Sequence, residues 1–327
     1  MPPLPTLSAT FPFWLKLGFI SFGGPAGQIA LMHREIVERR GWIDERGFMH
    51  ALNFCMLLPG PEALQLAIYL GWRMHGVPGG LVAGLCFFLP AVALLMALSF
   101  GYALYGGVPA VAAAMVGLKA VVVALIAQAA VKVARRALHG PAAGALALGG
   151  LLSIALLGVP FPWVVAAAAA AGLLLLKPTA LEAQPDRARP RRLPVGPVLV
   201  AGALLWLLPL VLVVPVLGAD SLYARVYLFF TQAALVTFGG AYAVLAYVNQ
   251  QVVENFGWIT QAQAVAGLAL AETTPGPLVI VLQFVGFMAG WNDPGAMPRE
   301  AGAALAALLA AWATFLPSFV FIFLGAP

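Results

Sequence analysis

The stretch NFCMLLPGPEALQLAIYLGW, residues 53–72, decides the fold. Apolar residues lie on both sides of Pro59, Gly60 and Pro61, as in a membrane helix with an interruption. Prolines remove backbone hydrogen bonds, and a bilayer has no water to replace them. Glu62 follows directly, although a carboxylate inside a membrane is costly and commonly functional. The stretch therefore predicts a membrane helix that is broken where its function requires it.

Composition places the chain in a membrane. Of its 327 residues, 62% are hydrophobic and 9% are charged, against roughly 25% charged in soluble domains. The sequence contains about ten hydrophobic segments, and a membrane-spanning helix needs about 20 such residues. The predicted fold class is therefore an all-α integral membrane protein that crosses the bilayer several times.

The polar residues outside these segments exclude several classes of function. The net charge of +5 comes mostly from loop arginines, including the RARPRR linker at 187–192. Beside membrane spans such clusters mark the cytoplasmic side and do not require a nucleic-acid partner. The four histidines lack the spacing of metal ligands. No Walker-type nucleotide motif is present. We expect neither a metal nor a cofactor.

Four short motifs occur twice in the chain, in the same order. The pairs are SFGG 21–24 with TFGG 237–240, GWI 41–43 with 257–259, PGP 59–61 with 275–277, and FLP 88–90 with 315–317. The first three pairs are each 216 residues apart, which chance explains poorly. We therefore predict a first transporter repeat at 1–105 and a second at 220–327. Additional membrane segments and the basic linker 177–194 fill residues 106–219.

Each half breaks two hydrophobic helices, one at Phe-Gly-Gly and one at Pro-Gly-Pro. Paired interruptions at corresponding positions of two halves indicate the binding site of a transporter. The freed backbone N–H groups and positive helix ends at such breaks suit an anion. Residues 33–46 carry four arginines whereas residues 248–262 carry none. Under the positive-inside rule this difference predicts that the repeats are inverted.

The motifs resemble the chromate ion transporter (CHR) family in its long form of two fused halves. The resemblance is carried by FISFGGPAGQIALMHREIVERRGWIDERGFMHALNFCMLLPGPEALQLAIYLGWRMHG at 19–76, ALVTFGGAYAVLAYVNQQVV at 234–253 and LALAETTPGPLVIVLQFVG at 268–286. It implies a transporter that exports chromate, or a related oxyanion such as sulfate, from the bacterial cytoplasm. The implied location is the bacterial inner membrane.

The glycines of the broken segments are the first candidates for substrate binding. Bare backbone at a break can approach an anion closely, while the alternative role of such glycines is close helix packing. Repetition in both halves favours a binding role. The candidates are Gly23, Gly24, Gly60, Gly239, Gly240 and Gly276.

Four polar side chains near the breaks are further candidates. Lys16 and Arg73 would add fixed positive charge to an anion path, unless they anchor helices at the membrane interface. Asn53 and Gln65 carry amides that donate to oxyanion oxygens. Amides of this kind, including Gln28 and Gln283, more often bond neighbouring helices.

The carboxylates Glu62 and Glu272 are candidates for coupling rather than for substrate contact. A carboxylate repels an oxyanion, so its functional role is proton carriage or pairing with a buried cation. Glu62 also follows Pro61 at a predicted helix start, where a negative charge stabilises the helix by about 0.3–1 kcal/mol. Both roles remain open for this residue.

Secondary active transport of an oxyanion, driven by an ion gradient or the membrane potential, is the function that these features favour. A passive anion channel is the first alternative. A membrane enzyme acting on lipid phosphates is the second, but it needs a compact acid/base or metal cluster that this sequence lacks. The expected partners are the oxyanion, the lipid bilayer and, as an open question, a second copy of the chain.

Overall fold

The computed structural model describes residues 5–22, 24–138, 140–159, 161–175, 194–236 and 241–326. These residues form helices and connecting turns and contain no β-strand. The predicted all-α fold class is confirmed.

Thirteen α-helices follow one another along the described residues. They are α1 Leu7–Ile20, α2 Gly24–His33, α3 Glu45–Leu57, α4 Glu62–Tyr105, α5 Pro109–Ala137, α6 Pro141–Ala155, α7 Phe161–Leu175, α8 Val195–Leu217, α9 Leu222–Leu235, α10 Ala241–Asn249, α11 Gln261–Thr273, α12 Val281–Asn292 and α13 Arg299–Gly325. Two π-helical segments, Arg34–Arg39 and Gln250–Asn255, extend α2 and α10, and a 3₁₀ turn, Leu278–Ile280, leads into α12.

Three of these helices are long and apolar enough to cross a membrane. They are α4, α8 and α13, with 44, 23 and 27 residues. Shorter apolar helices, including α1, lie beside them in the sequence. Helical segments of this length and composition are those that a bilayer accepts, because all their backbone groups are bonded internally.

The chain divides into two compact units. One comprises residues 1–118 and 186–327, and the other comprises residues 119–185. In the second unit α6 packs against α7. The first unit contains all the repeated motifs, so the candidate site is described within this unit alone.

The helices of the first unit come in two series with matching bounds. The π-helical segments at 34–39 and 250–255 are 216 residues apart, and so are α3 and α11 at both ends. The helical residues after the two Pro-Gly-Pro motifs begin at Glu62 and Leu278, again 216 apart. Motif spacing and helix bounds therefore agree over this region. The assignment of residues 1–105 and 220–327 as repeats, and their inversion, remain predictions.

Equivalent capping residues explain why α3 and α11 begin where they do. Asp44 Oδ1 accepts the backbone N–H of Gly47 at 3.3 Å. Thr260 accepts the N–H of Gln263 at 3.2 Å, and Gln263 Oε1 accepts the N–H of Thr260 at 2.9 Å, which completes a capping box. Caps of this type satisfy donors that the first turn leaves open.

The two series differ after the broken segment. In the first, α4 continues for 44 residues with a kink at His75 and Gly76, whose backbone angles are not helical. In the second, α12 ends at Asn292 and α13 begins at Arg299, so a loop replaces the kink. The extra residues of the second half thus include the loop around 293–298.

Candidate functional site

The first break lies between α3 and α4. Gly60 has a φ of +123°, a region that L-residues with side chains rarely adopt. Gln65, one turn into α4, donates from Nε2 to the Pro59 carbonyl oxygen at 2.7 Å. Gly60 and Pro61 are buried by protein. The interruption is therefore an ordered feature inside the unit, with one of its carbonyl groups satisfied by a side chain.

The second break lies between α11 and the 3₁₀ turn before α12. Gly276 has a φ of +109°, and residues 275–277 are buried. Its backbone N–H donates to the Ser21 carbonyl oxygen at 2.9 Å. Gln28 Nε2 donates both to that same oxygen and to the Gly276 carbonyl oxygen. The Ser21–Gln28 region of the first series thus bonds directly to the break of the second.

Each break packs against the Phe-Leu-Pro helix of the other series. A β-carbon added at Gly60 would lie 3.2 Å from Ser318 Oγ on α13, and one added at Gly276 would lie 2.6 Å from Ala91 Cβ on α4. Ser318 directly follows the second Phe-Leu-Pro motif and Ala91 directly follows the first. Reciprocal contacts of this kind are those that a two-fold relation between two units produces.

The two Phe-Leu-Pro helices also touch each other. The rings of Phe88 on α4 and Phe315 on α13 have centroids 4.7 Å apart. Both breaks therefore pack on one pair of contacting helices in the interior of the unit. This arrangement satisfies the requirement that irregular backbone at membrane depth be covered by protein or by an aqueous cavity.

The Phe-Gly-Gly segments are described only in part. Gly24 begins α2 with a φ of +70°, and no atom lies within 4 Å of the position that its β-carbon would take. Gly23, Gly239 and Gly240 lie outside the described residues. What the first segment contributes is Ser21, whose carbonyl oxygen binds the second break.

The candidate amides take different positions. Gln65 is fully buried at the first break, and Gln28 is fully buried at the second. Gln283 on α12 donates to the Val92 carbonyl oxygen at 2.9 Å, which joins α12 to α4. Asn53 is exposed on α3. Gln28 and Gln283 therefore bond neighbouring elements, as amides in membrane proteins commonly do.

Neither candidate cation is placed at a break. Lys16 is on the exposed face of α1, together with Leu15, Phe19 and Ile20. Arg73 reaches the first turn of α3, where a β-carbon added at Gly47 would lie 2.8 Å from Arg73 Nη2 and 2.7 Å from Asp44 Oδ1. The guanidinium is thus close to the carboxylate that caps α3.

The two carboxylates stand on opposite sides of their breaks. Glu62 is the first residue of α4 and is half-buried, at a position where a negative charge favours the start of a helix. Glu272 is half-buried in the last turn of α11, before the second break. The equivalent of Glu62 in the second series is the apolar Leu278. Only the first break thus has a carboxylate at the start of its half-helix.

Sequence reasoning missed Ser318. The residue is 1% exposed, faces Gly60, and its Oγ has no hydrogen-bond partner among the described residues. Aligning the two Phe-Leu-Pro motifs would have shown that a serine stands where the first half has Ala91. The described residues contain no cluster of three metal-ligating side chains.

Comparison with known proteins assigns the family. The family described as chromate transporter matches residues 8–173 and 224–327, which is most of the chain. The chain belongs to the chromate transporter family. The matched ranges include both Pro-Gly-Pro breaks and both Phe-Leu-Pro helices, so the geometry described above is that of a chromate transporter family member.

Curated relatives align over nearly the whole chain. A probable chromate transport protein of Synechococcus elongatus is 34% identical, covering 99% of this chain and 77% of the relative. A chromate transport protein of Pseudomonas aeruginosa is 33% identical over 98% of this chain and 73% of its own length. That of Cupriavidus metallidurans is 30% identical, with shares of 99% and 75%. No solved structure gives a significant match.

Proposed function

We propose that this chain is a secondary active transporter that exports chromate from the cytoplasm across the bacterial inner membrane. Membership of the chromate transporter family and the names of its curated relatives support chromate as the substrate. The observation that carries the mechanism is the reciprocal burial of the two breaks, Gly60 against Ser318 and Gly276 against Ala91.

An oxyanion must lose water to pass the centre of a membrane, and the breaks offer groups that replace this water. The half-helices that begin after Pro61 and Pro277 have open N–H groups and a positive dipole end in their first turns. Together they form an anion site at the interface of two repeats, as in other secondary transporters. Residues 1–105 and 220–327 are proposed to be these repeats, with residues 106–219 between them.

The proposed path contains the buried glycines of the breaks and excludes the surface residues. Gly60, Gly276 and Gln65 are at its centre, and the Phe-Gly-Gly glycines are proposed to line its continuation. Lys16 and Asn53 are exposed, and Arg73 lies at the first turn of α3. We therefore leave these three residues out of the buried centre.

Energy for export is proposed to come from an ion gradient or the membrane potential. Glu62 and Glu272 are the proposed proton carriers, because each is half-buried within a few residues of a break. A carboxylate placed there changes its charge on protonation and so links a proton to the movement of an anion.

Chromate uptake by everted vesicles tests the proposal. Vesicles from cells that express the protein should accumulate chromate when energised, and a proton ionophore should abolish the accumulation. Saturable uptake that stops with the gradient supports transport. Gradient-independent conductance would instead indicate a channel, and turnover of lipid phosphates would indicate an enzyme. Excess sulfate in the same assay decides whether the site also accepts a fully deprotonated dianion.

A further inference from the structure

Ser318 differs from the other buried hydroxyl residues of the described chain. Thr314, one turn earlier on α13, donates to the Ala310 carbonyl oxygen at 2.7 Å, and Ser99 on α4 donates to the Leu95 carbonyl oxygen at 2.6 Å. Such bonds to the preceding turn are the ordinary solution for a helical hydroxyl. The remaining buried serine and threonine side chains do the same, at Thr10, Ser21, Thr231 and Thr274. The Ser318 hydroxyl makes no bond to a described residue.

The buried Gln65 amide, whose Nε2 approaches the same position at Gly60, also has an oxygen without a partner among the described residues. Its Nε2 is directed to the Pro59 carbonyl oxygen, which also defines the orientation of the amide. Oε1 therefore points elsewhere and has no donor among the described residues, although Gln65 is fully buried. Both Gln65 and Ser318 approach the position that a side chain on Gly60 would take. A buried polar group without a partner costs about 1–3 kcal/mol, so two at one break require an explanation.

The second break has an alanine in place of the serine that packs against the first break. Ala91 replaces Ser318 against Gly276, and Val281 stands at the position that corresponds to Gln65. The amide oxygens of Gln28 and Gln283 are also without described donors there, but both groups only accept hydrogen bonds. An anion needs donors. Among the described residues, only the first break has a buried side-chain hydroxyl that is not already bonded to an acceptor.

We propose that Ser318 and Gln65 bind the oxyanion at the first break, and that they select an oxyanion that carries a proton. This inference rests on the proposed function and deepens it. The Ser318 hydroxyl donates to a charged oxygen of the ligand, while Gln65 Oε1 accepts the ligand's O–H. A fully deprotonated dianion has no hydrogen to give, so the amide oxygen would stay unsatisfied against it.

The charge at this break favours the same form of the ligand. Glu62 follows Gly60 by two residues, and a carboxylate repels a dianion about twice as strongly as a monoanion at equal distance. The second proton of chromic acid dissociates close to neutral pH, whereas sulfate holds no proton in that range. Hydrogen chromate therefore fits the pair of groups, and sulfate does not.

Thermal stabilisation of the purified protein by sodium chromate, sodium phosphate and sodium sulfate at pH 7 tests the ligand class. Phosphate carries a proton at this pH and chromate is partly protonated, so both should raise the unfolding temperature at lower concentrations than sulfate. If sulfate raised the unfolding temperature at the same concentrations as chromate, the proposed selection of a protonated ligand would be wrong. Stabilisation is measured without transport, so a protein that binds chromate but moves none would contradict the proposed function alone.

Substitutions at the matched positions test the two residues. Ser318→Ala should raise the chromate concentration for half-maximal stabilisation about tenfold, which is the effect of losing one hydrogen bond to a charged ligand. Ser318→Thr, which keeps the hydroxyl, should stay near the parent. Thr314→Val on the same helix, which removes a hydroxyl that bonds to the Ala310 carbonyl oxygen, should change this concentration less than twofold.

An unchanged chromate response in Ser318→Ala would overturn the assignment of this residue. If that variant does not fold, Gln65→Met is measured in its place, with the same tenfold expectation. A Gln65→Met protein that binds chromate like the parent would then contradict the proposal.

Discussion

The two Pro-Gly-Pro breaks share a backbone but not their side chains. Gly60 and Gly276 have similar positive φ values, and each lies against the residue that follows a Phe-Leu-Pro motif. Glu62, Gln65 and Ser318 surround the first break, whereas the corresponding residues of the second are Leu278, Val281 and Ala91. The two breaks thus share their backbone conformation, while these three corresponding positions are polar at the first break and apolar at the second.

The largest effect is expected from alanine at the two glycines. A positive φ costs a residue with a side chain about 1–3 kcal/mol. At Gly276 the new β-carbon also meets Ala91 Cβ at 2.6 Å, which a short side chain on a packed helix cannot avoid. At Gly60 it meets the end of Gln65, which can move. Gly276→Ala should therefore lower the free energy of unfolding by about 3 kcal/mol or more, and Gly60→Ala should lower it by about 2 kcal/mol.

The fraction of protein that remains monodisperse after heating measures this difference. Leu89→Phe is the control, because Leu89 belongs to the Phe-Leu-Pro motif but is 47% exposed. The monodisperse fraction of Leu89→Phe should fall with temperature as that of the parent does. A Gly60→Ala protein less stable than Gly276→Ala would show that the second break is not the more tightly packed one.

Removing the amide donors that bond to the backbone of the breaks should produce the next largest loss of stability. Gln28→Met leaves two buried carbonyl groups, those of Ser21 and Gly276, without this donor. Gln65→Met affects one carbonyl, that of Pro59. We expect Gln28→Met to lower the free energy of unfolding by about 2 kcal/mol and Gln65→Met to lower it by about 1 kcal/mol. The same heating assay compares them, and the reverse order would contradict the role of Gln28 in closing the second break.

The glutamate at the first break should affect the pH dependence of transport more than stability. Glu62→Gln removes a favourable charge at the start of α4, which costs about 1 kcal/mol at most. If Glu62 carries protons, chromate uptake by the variant should no longer change with pH while the protein still folds. Glu272→Gln, on the other side of the second break, is measured beside it. A parent-like pH profile in Glu62→Gln would return this residue to a capping role.

Replacing Arg73 should have the smallest effect on stability and on transport. Asn292 follows a Gly-Trp pair as Arg73 does, and it bonds Gln263 at the start of α11. Arg73→Asn should lower the free energy of unfolding by about 1 kcal/mol or less, because charge interactions near the surface contribute little. The chromate KM should be unchanged. A KM raised severalfold would show that Arg73 contacts the substrate.

Local chemistry explains why the sequence predicts both breaks. Proline and glycine act on the backbone at their own positions, so Pro59, Gly60 and Pro61 interrupt a helix whatever surrounds them. Their repetition at one offset then indicates two equivalent sites. The matching helix bounds on either side, from the π-helical segments to Glu62 and Leu278, agree with this spacing.

Packing between distant segments was beyond sequence reasoning. Gln28 bonds Gly276, 248 residues away, and nothing near either residue indicates this contact. Lys16 looked suitable for an anion because of its charge, but the helix face on which it lies is exposed. Ser318 looked like an ordinary helical serine. Its significance depends on two facts that only the structure shows: its hydroxyl has no partner among the described residues, and it lies against Gly60.

Thiol labelling at the two matched positions tests the central claim, that an oxyanion path passes the first break. Ser318→Cys and Ala91→Cys are made separately after the buried native cysteines, Cys55 and Cys86, are replaced by alanine. A membrane-impermeant, water-soluble thiol reagent should modify Cys at position 318, and chromate should slow this reaction severalfold. Chromate should slow the reaction at position 91 less than the reaction at position 318. Protection at position 91 alone, or no reaction at position 318 in a folded and active protein, would contradict the account.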